Sequence, residues 1–168
     1  SEMKQITIAR SDLDRFALKP GDVLMNEGGD YDKLGRGALW SGEVPMCVHQ
    51  NHVFAVRADR GLLLPAFLNA YTGSARARTY FLQNGKQTTN LASINSTSLG
   101  KLPVPLPPMS EQERIVDALA TVDETIKNAA NSKHALLATQ LGLASDLLSG
   151  RVRVPTALIE NAEWNYSV

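Results

Sequence analysis

Cys47-Val48-His49 with His52 is the one cluster of soft ligands in the sequence. Its spacing matches no standard zinc pattern, and no fourth ligand accompanies it. A cysteine–histidine nucleophile pair is an alternative there, but no third orienting group is evident. Gly28-Gly29 and Gly35-Arg36-Gly37 read as turn glycines. They match neither a phosphate loop nor a dinucleotide fingerprint. The sequence has no Gly-x-Ser-x-Gly elbow, no Asn-Pro-Pro-Tyr run and no convincing acidic–acidic–lysine nuclease set. The acidic residues Asp12, Asp14, Asp22, Glu27, Asp30 and Asp32 lie around turns, where Asp serves backbone hydrogen bonding.

What remains is a polar set suited to recognition. Gln50-Asn51-His52 precedes a run ending in Arg57, and Gln87-Thr88-Thr89-Asn90 follows Lys86. Arg and Lys pair with guanine edges or phosphates, Asn and Gln pair with adenine, and Thr contacts either. The same residue types also cap turns and satisfy buried backbone, so each has a purely structural reading as well. Lys33, Arg36, Arg76, Arg78 and Lys86 are the candidates for phosphate and positioning contacts, and Gln87, Thr88 and Asn90 for base readout.

The elements that would hold these residues fall into two parts. Up to residue 109 the chain is broken by Gly and Pro. Leu18 to Asp22 reads as a turn, followed by strands at Val23–Met25, Val44–Met46 and Val53–Val56, rich in β-branched and aromatic residues. Pro65–Tyr71 and Ala75–Leu82 read as short helices, and Asn84-Gly85 as a turn. The proline-spaced run Leu102 to Pro108 excludes helix and predicts an extended arm leading out of the domain.

Beyond the arm the pattern changes. Ser110-Glu111-Gln112-Glu113 fits a capping box. Apolar residues then recur at Ile115, Leu119, Val122 and Ile126 in steps of four, three and four, which is heptad spacing. The stripe continues less regularly through Leu137, Leu141 and Leu148 to a Ser149-Gly150 stop, with Arg151 and Arg153 favouring the negative helix end. About 40 helical residues would span ~60 Å, beyond the ~30 Å of a small domain. The stripe therefore calls for a second long helix, or for a hairpin folded back near Ala129–Ser132. Domain boundaries are expected at 1–109, 110–150 and 151–168.

Composition narrows the class. The chain has 168 residues, 43% hydrophobic and 20% charged, ordinary for a folded protein. A single cysteine forbids an internal disulfide and points to a reducing compartment, the cytoplasm. No apolar run reaches the ~18 residues of a membrane span. The net charge is +0, but the halves differ: residues 1–109 carry 12 basic against 9 acidic groups, residues 110–168 carry 5 against 8. Between Arg57 and Lys101 six cations face only Asp59. Such a surface can steer a polyanion, or can simply be a solvated face.

Several segments occur in a telling order: Lys19 to Leu24, Gly35 to Ala38, Gln50 to Arg57, Thr88 to Ile94, Leu102 to Pro108, Glu111 to Ile115 and Leu147 to Gly150. Together, from about Pro20 to Gly150, they resemble one half of a type I restriction–modification specificity subunit. The proline arm running into Glu-Gln-Glu-Arg-Ile is the most specific element. The resemblance implies an α+β fold: a mixed target recognition domain followed by one long C-terminal helix that pairs as an antiparallel coiled coil. It implies a non-catalytic subunit that reads one half of a bipartite double-stranded DNA target. Its long helices would set the half-site distance and dock methyltransferase subunits, and restriction subunits would join them. S-adenosylmethionine, ATP and Mg would sit on those partners, and this chain would bind no cofactor.

A full subunit has two recognition domains and two helices, whereas this chain has one of each. Together with the Ser1 start, this makes it either a fragment or a half-subunit that pairs with a copy of itself. Self-pairing would be two-fold, so two identical heads would read a palindromic split site. A coiled-coil adaptor whose head binds a protein is the alternative reading, and a small enzyme built on Cys47, His49 and His52 is a third.

Overall fold

The computed structural model describes residues 4–31, 33–87 and 91–155. The fold is α+β. The element order is α1 (Arg10–Phe16), β1 (Val23–Asn26), β2 (Gly28–Gly29), β3 (Gly37–Leu39), β4 (Val53–Val56), α2 (Pro65–Thr72), α3 (Ala75–Asn84), β5 (Lys86–Gln87), β6 (Ala92–Ser93), α4 (Ser96–Leu99) and α5 (Met109–Leu148). Contacts group the chain into two units, 1–118 and 119–168.

Two three-stranded antiparallel sheets, ordered β3-β1-β4 and β2-β6-β5, share the Val23–Gly29 ribbon. Along β1, buried Val23 and Met25 alternate with half-buried Leu24 and Asn26, the period of a strand with one core face. Glu27 is the corner between the sheets. Its N–H donates to the His52 carbonyl beyond β4 at 3.0 Å, and its carbonyl accepts from Ile94 beyond β6 at 2.8 Å. One residue thus passes the ladder from one sheet to the other, and no backbone group at the corner is left unpaired.

The helices close the core. Pro65 opens α2 at a position where its missing N–H costs nothing. Ser74 caps α3 by accepting from the Ala77 amide at 3.2 Å. Val23, Met25, Leu34, Leu68, Ala77, Phe81, Ala92 and Ile94 form the buried cluster. Phe81, fully buried, meets the 30–36 loop at Gly35. There φ is +67°, and a Cβ would lie 2.4 Å from the Phe81 ring. Glycine is required twice over, for its backbone and for its missing side chain.

Some local expectations change. Val44–Met46 is not a strand but a bend and turn. Pro45 lacks a donor, and Met46 takes φ +54° with its side chain 80% exposed. The bridge in that region falls instead between Ala17 and Val48. Asn84-Gly85 makes no tight turn. Helix α3 runs through Asn84, and Gly85 is extended, leading directly into β5. The arm does not lead out of the domain: Leu102 and Val104 pack on the core, and the Tyr71 hydroxyl donates to the Pro103 carbonyl at 2.6 Å.

Helix α5 is continuous over 40 residues and passes straight through Ala129–Ser132, so there is no hairpin. It begins at Met109, so Ser110 lies inside the first turn rather than capping it. The Pro108 carbonyl takes the early amides of Glu111 (2.9 Å) and Gln112 (3.1 Å). At the far end Gly150 adopts φ +72° and donates to Leu147 at 3.2 Å, the left-handed stop expected of Ser-Gly. Arg151 pairs with Asp146 across the last turn.

Candidate functional site

The small sheet and α3 gather most of the predicted cations. Lys86 opens β5 opposite Ser93, which in turn pairs with Gly28. Gln87 follows opposite Ala92, which on its other side pairs with Gly29. The chain leaves Gly29 into the loop that carries Lys33 and Arg36, and that loop is pressed onto α3 by Gly35 and Leu34. Arg76 and Arg78 flank the buried Ala77 on α3, so they emerge on opposite sides of its core-facing stripe.

Lys33, Arg36, Arg76, Arg78 and Lys86 are all exposed. Lys33 pairs with Asp30, while Arg36, Arg76, Arg78 and Lys86 form no ion pair with a described residue. Beside Lys86 a polar recess of about 200 Å³ is lined by Glu27, Asn84, Ser93, Ile94 and Asn95. Thr88 and Asn90 lie outside the described residues.

Two arginines in the basic stretch have structural work. Arg57 makes a two-point bond to Asp22, Nε to Oδ1 and an Nη to Oδ2, both at 2.7 Å. Asp22 is 1% exposed and also accepts from the Lys19 amide at 2.8 Å. Burial pushes the Asp22 carboxyl up, but the bonds from Arg57 and Lys19 outweigh it and hold it below its ordinary value. Arg60 donates to the Pro20 carbonyl. The sequence shows Arg57 as one of six cations; its partner 35 residues earlier is visible only in the fold.

Cys47, His49 and His52 are not brought together as a working set. His49 packs edge-on to Phe16 at 5.7 Å between ring centres, and His52 Nδ1 lies 3.0 Å from Glu27 Oε2. The half-buried Cys47 thiol points at the Val48 carbonyl. Among the described residues no group of three His, Cys, Asp or Glu side chains could hold a metal ion.

On α5 the predicted seam residues Leu119, Val122, Ile126, Leu137, Leu141 and Leu148 are exposed, by 44% to 88%. Ile115 differs: it is half-buried and belongs to the head unit. Sequence reasoning missed Gln112, which is fully buried. Its side chain accepts from the Leu64 amide at 2.9 Å and donates to the Leu62 and Pro107 carbonyls at 3.0 and 2.9 Å. The signal lay in the Glu-Gln-Glu-Arg run, read there only as part of a cap.

The chain thus has a head of two small sheets, with exposed cations on the second sheet, α3 and the adjoining loop, and a long helix with an exposed apolar stripe. A family model for the type I restriction modification DNA specificity domain matches residues 21–137. The chain belongs to that family. It is 25% identical over 142 residues to the MjaX type I restriction enzyme specificity subunit of Methanocaldococcus jannaschii, covering 84% of this chain and 33% of the relative. It is 22% identical over 149 residues to the StySPI specificity subunit of Salmonella potsdam, covering 84% and 32%. The crystal structure of the HsdS subunit from Thermoanaerobacter tengcongensis shares the fold, with a TM-score of 0.57 at 22% identity over 83% of this chain and 36% of that one. The chain thus spans about a third of the length of these relatives. The matches are to specificity components, not to catalytic ones. Among the described residues no helix is long and apolar enough to cross a membrane.

Proposed function

We propose that this chain is a non-catalytic DNA-reading module of a type I restriction–modification complex, working in the cytoplasm. Residues 1–109 form the head that reads one half of a bipartite target, 110–150 the spacer helix, and 151–168 a tail. The family match from Gly21 to Leu137, spanning head and helix together, carries this reading. Lys33, Arg36, Arg76, Arg78 and Lys86 grip phosphates, and Gln87, Thr88 and Asn90 reach base edges. The exposed seam of α5 pairs antiparallel with a second specificity half, or with a copy of this chain, and docks methyltransferase subunits, which restriction subunits join. Methyl transfer and cleavage, with S-adenosylmethionine, ATP and Mg, then belong to those partners.

The test is selection of duplexes from a random pool by the purified chain, alone and with a methyltransferase subunit, followed by affinity against salt. A recurrent split sequence bound with a steep salt slope is the expected result. Binding that ignores sequence and salt would refute it. A second reading, a protein-binding head on a coiled coil, draws on an apolar cleft of about 580 Å³ whose walls include Phe54, Val56, Leu63, Leu99 and Val104. It predicts a partner retained in high salt and indifferent to DNA.

A further inference from the structure

His52 lies in the turn that enters β4. The Val53 amide closes this turn by donating to the Gln50 carbonyl at 3.0 Å, and Gln50, Asn51 and His52 are all exposed. The His52 side chain is 79% exposed, yet it is held: its Nδ1 lies 3.0 Å from Glu27 Oε2. A carboxylate only accepts, so Nδ1 of His52 carries the proton and donates. The bond restrains the ring and leaves Nε2 turned away from Glu27. That atom makes no bond to a described residue.

The fold has little need of this side-chain pair. Glu27 is already fixed at the corner by its main chain, whose N–H donates to the His52 carbonyl and whose carbonyl accepts from Ile94. A solvent-exposed pair adds little stability beyond that. What it adds is direction for an outward-facing imidazole. Its place also matters. Glu27 lines the polar recess together with Asn84, Lys86 and Asn95. The turn at residues 50–52, distant from β5 in sequence, therefore comes up beside the strand that carries Lys86. The charge of Glu27 works against a phosphate at this spot. A neutral base edge meets no such penalty, and its donors and acceptors suit an imidazole nitrogen.

We propose that His52 is a specificity-determining residue: its outward Nε2 forms a hydrogen bond with a base edge of the duplex, and Glu27 is the positioning residue that holds the ring for it. This rests on the DNA-reading function above. It adds the turn at 50–52 to the reading surface assigned there to β5 and the residues after it.

The experiment uses the full chain as wild type, His52→Ala, Glu27→Ala and the double variant. A duplex selected by the wild type is resynthesised with each base pair changed in turn, and affinities are measured against salt. His52→Ala should lose discrimination at one base pair, by about fivefold or more, with the other positions within twofold and the salt slope unchanged. Glu27→Ala should lose it at the same base pair and add nothing in the His52→Ala background, since the two act as a unit. Its affinity for non-specific DNA should hold or rise, because a negative charge is removed. Weakening of His52→Ala on all sequences alike, with the slope lowered by about one, marks a phosphate contact and overturns the proposal. An unaltered preference in His52→Ala overturns it and leaves the DNA-reading function standing. Additive losses, or losses at different base pairs, overturn the role of Glu27. A wild type that selects no duplex refutes the DNA-reading function and this role with it. If Glu27→Ala does not fold, Glu27→Met, which keeps the side chain's length without the acceptor, takes its place.

Discussion

Arg57 and Asp22 face each other across neighbouring strands with two parallel hydrogen bonds of 2.7 Å, the carboxylate buried and the guanidinium half in solvent. The pair ties the end of β4 to the turn that launches β1. Arg57→Ala leaves a buried carboxylate with only the Lys19 amide as partner and should cost about 2 kcal/mol. Urea unfolding at neutral pH measures it. The pair also makes a pH prediction. A carboxyl held below its ordinary value of 3.8 adds stability that is full above that pH and fades as pH falls through the folded-state value. The gap between wild type and Arg57→Ala should therefore be widest near neutrality and narrow below about pH 3.8. A gap constant into strong acid would show that the ion pair is not its source.

Gly35 is the second structural prediction. A methyl group there meets the Phe81 ring at 2.4 Å, and the φ of +67° disfavours any L side chain. Gly35→Ala should cost about 2–4 kcal/mol, combining overpacking with backbone strain. Because the same contact seats the Lys33–Arg36 loop on α3, DNA affinity should fall with stability. Thermal unfolding read beside binding checks both, and a melting temperature within a degree of wild type would refute the packing.

The chain shows which parts of this were legible in advance. Strands β1 and β4, helices α2 and α3 and the long α5 carry local signals: alternation at Val23–Met25, Pro65 at a helix start, a heptad stripe ended by Ser149-Gly150. The misread parts depend on distant residues. Val44–Met46 has strand composition, yet Pro45 and the backbone turn at Met46 deny it a ladder. The two-residue strands β2, β5 and β6 are too short for any period and exist because Glu27 hands its carbonyl to Ile94. Among the candidate contacts, exposure of Arg36, Arg76, Arg78 and Lys86 follows from their charge. The diversion of Arg57 to Asp22 and of Gln112 into the head does not, since Asp22 lies 35 residues from Arg57, and Leu64 and Leu62 lie 48 and 50 residues from Gln112.

The exposed arginines carry a binding prediction. Arg36 and Arg78 reach solvent without an ion pair to a described residue, so each is open to a phosphate. Arg36→Ala and Arg78→Ala should weaken DNA binding on all sequences alike. Each should lower the slope of log affinity against log salt by about one. Arg57→Ala is the control, since its guanidinium is committed to Asp22; its slope should stay at the wild-type value. Equal slopes in all four proteins would remove Arg36 and Arg78 from the footprint.

The seam of α5 makes the last prediction. Leu119, Val122 and Ile126 are 44%, 55% and 61% exposed and share one face over two turns. Each leucine, valine or isoleucine fully buried contributes about 1.5–3 kcal/mol. An isolated helix of this kind gains most of its stability from such packing. Leu119→Asp with Ile126→Asp places two carboxylates in the middle of that face, where burial would leave them unpaired. Pairing through this face predicts that the wild type sediments as a dimer and the double variant, at the same concentration, as a monomer. Its head should keep the wild-type melting profile, because both positions lie beyond the head unit that ends at Ala118. Affinity for an isolated half-site should likewise persist, while the gain from joining two half-sites on one duplex disappears, since that gain comes only from linkage. A wild type and a double variant of equal sedimentation coefficient would refute pairing through this seam.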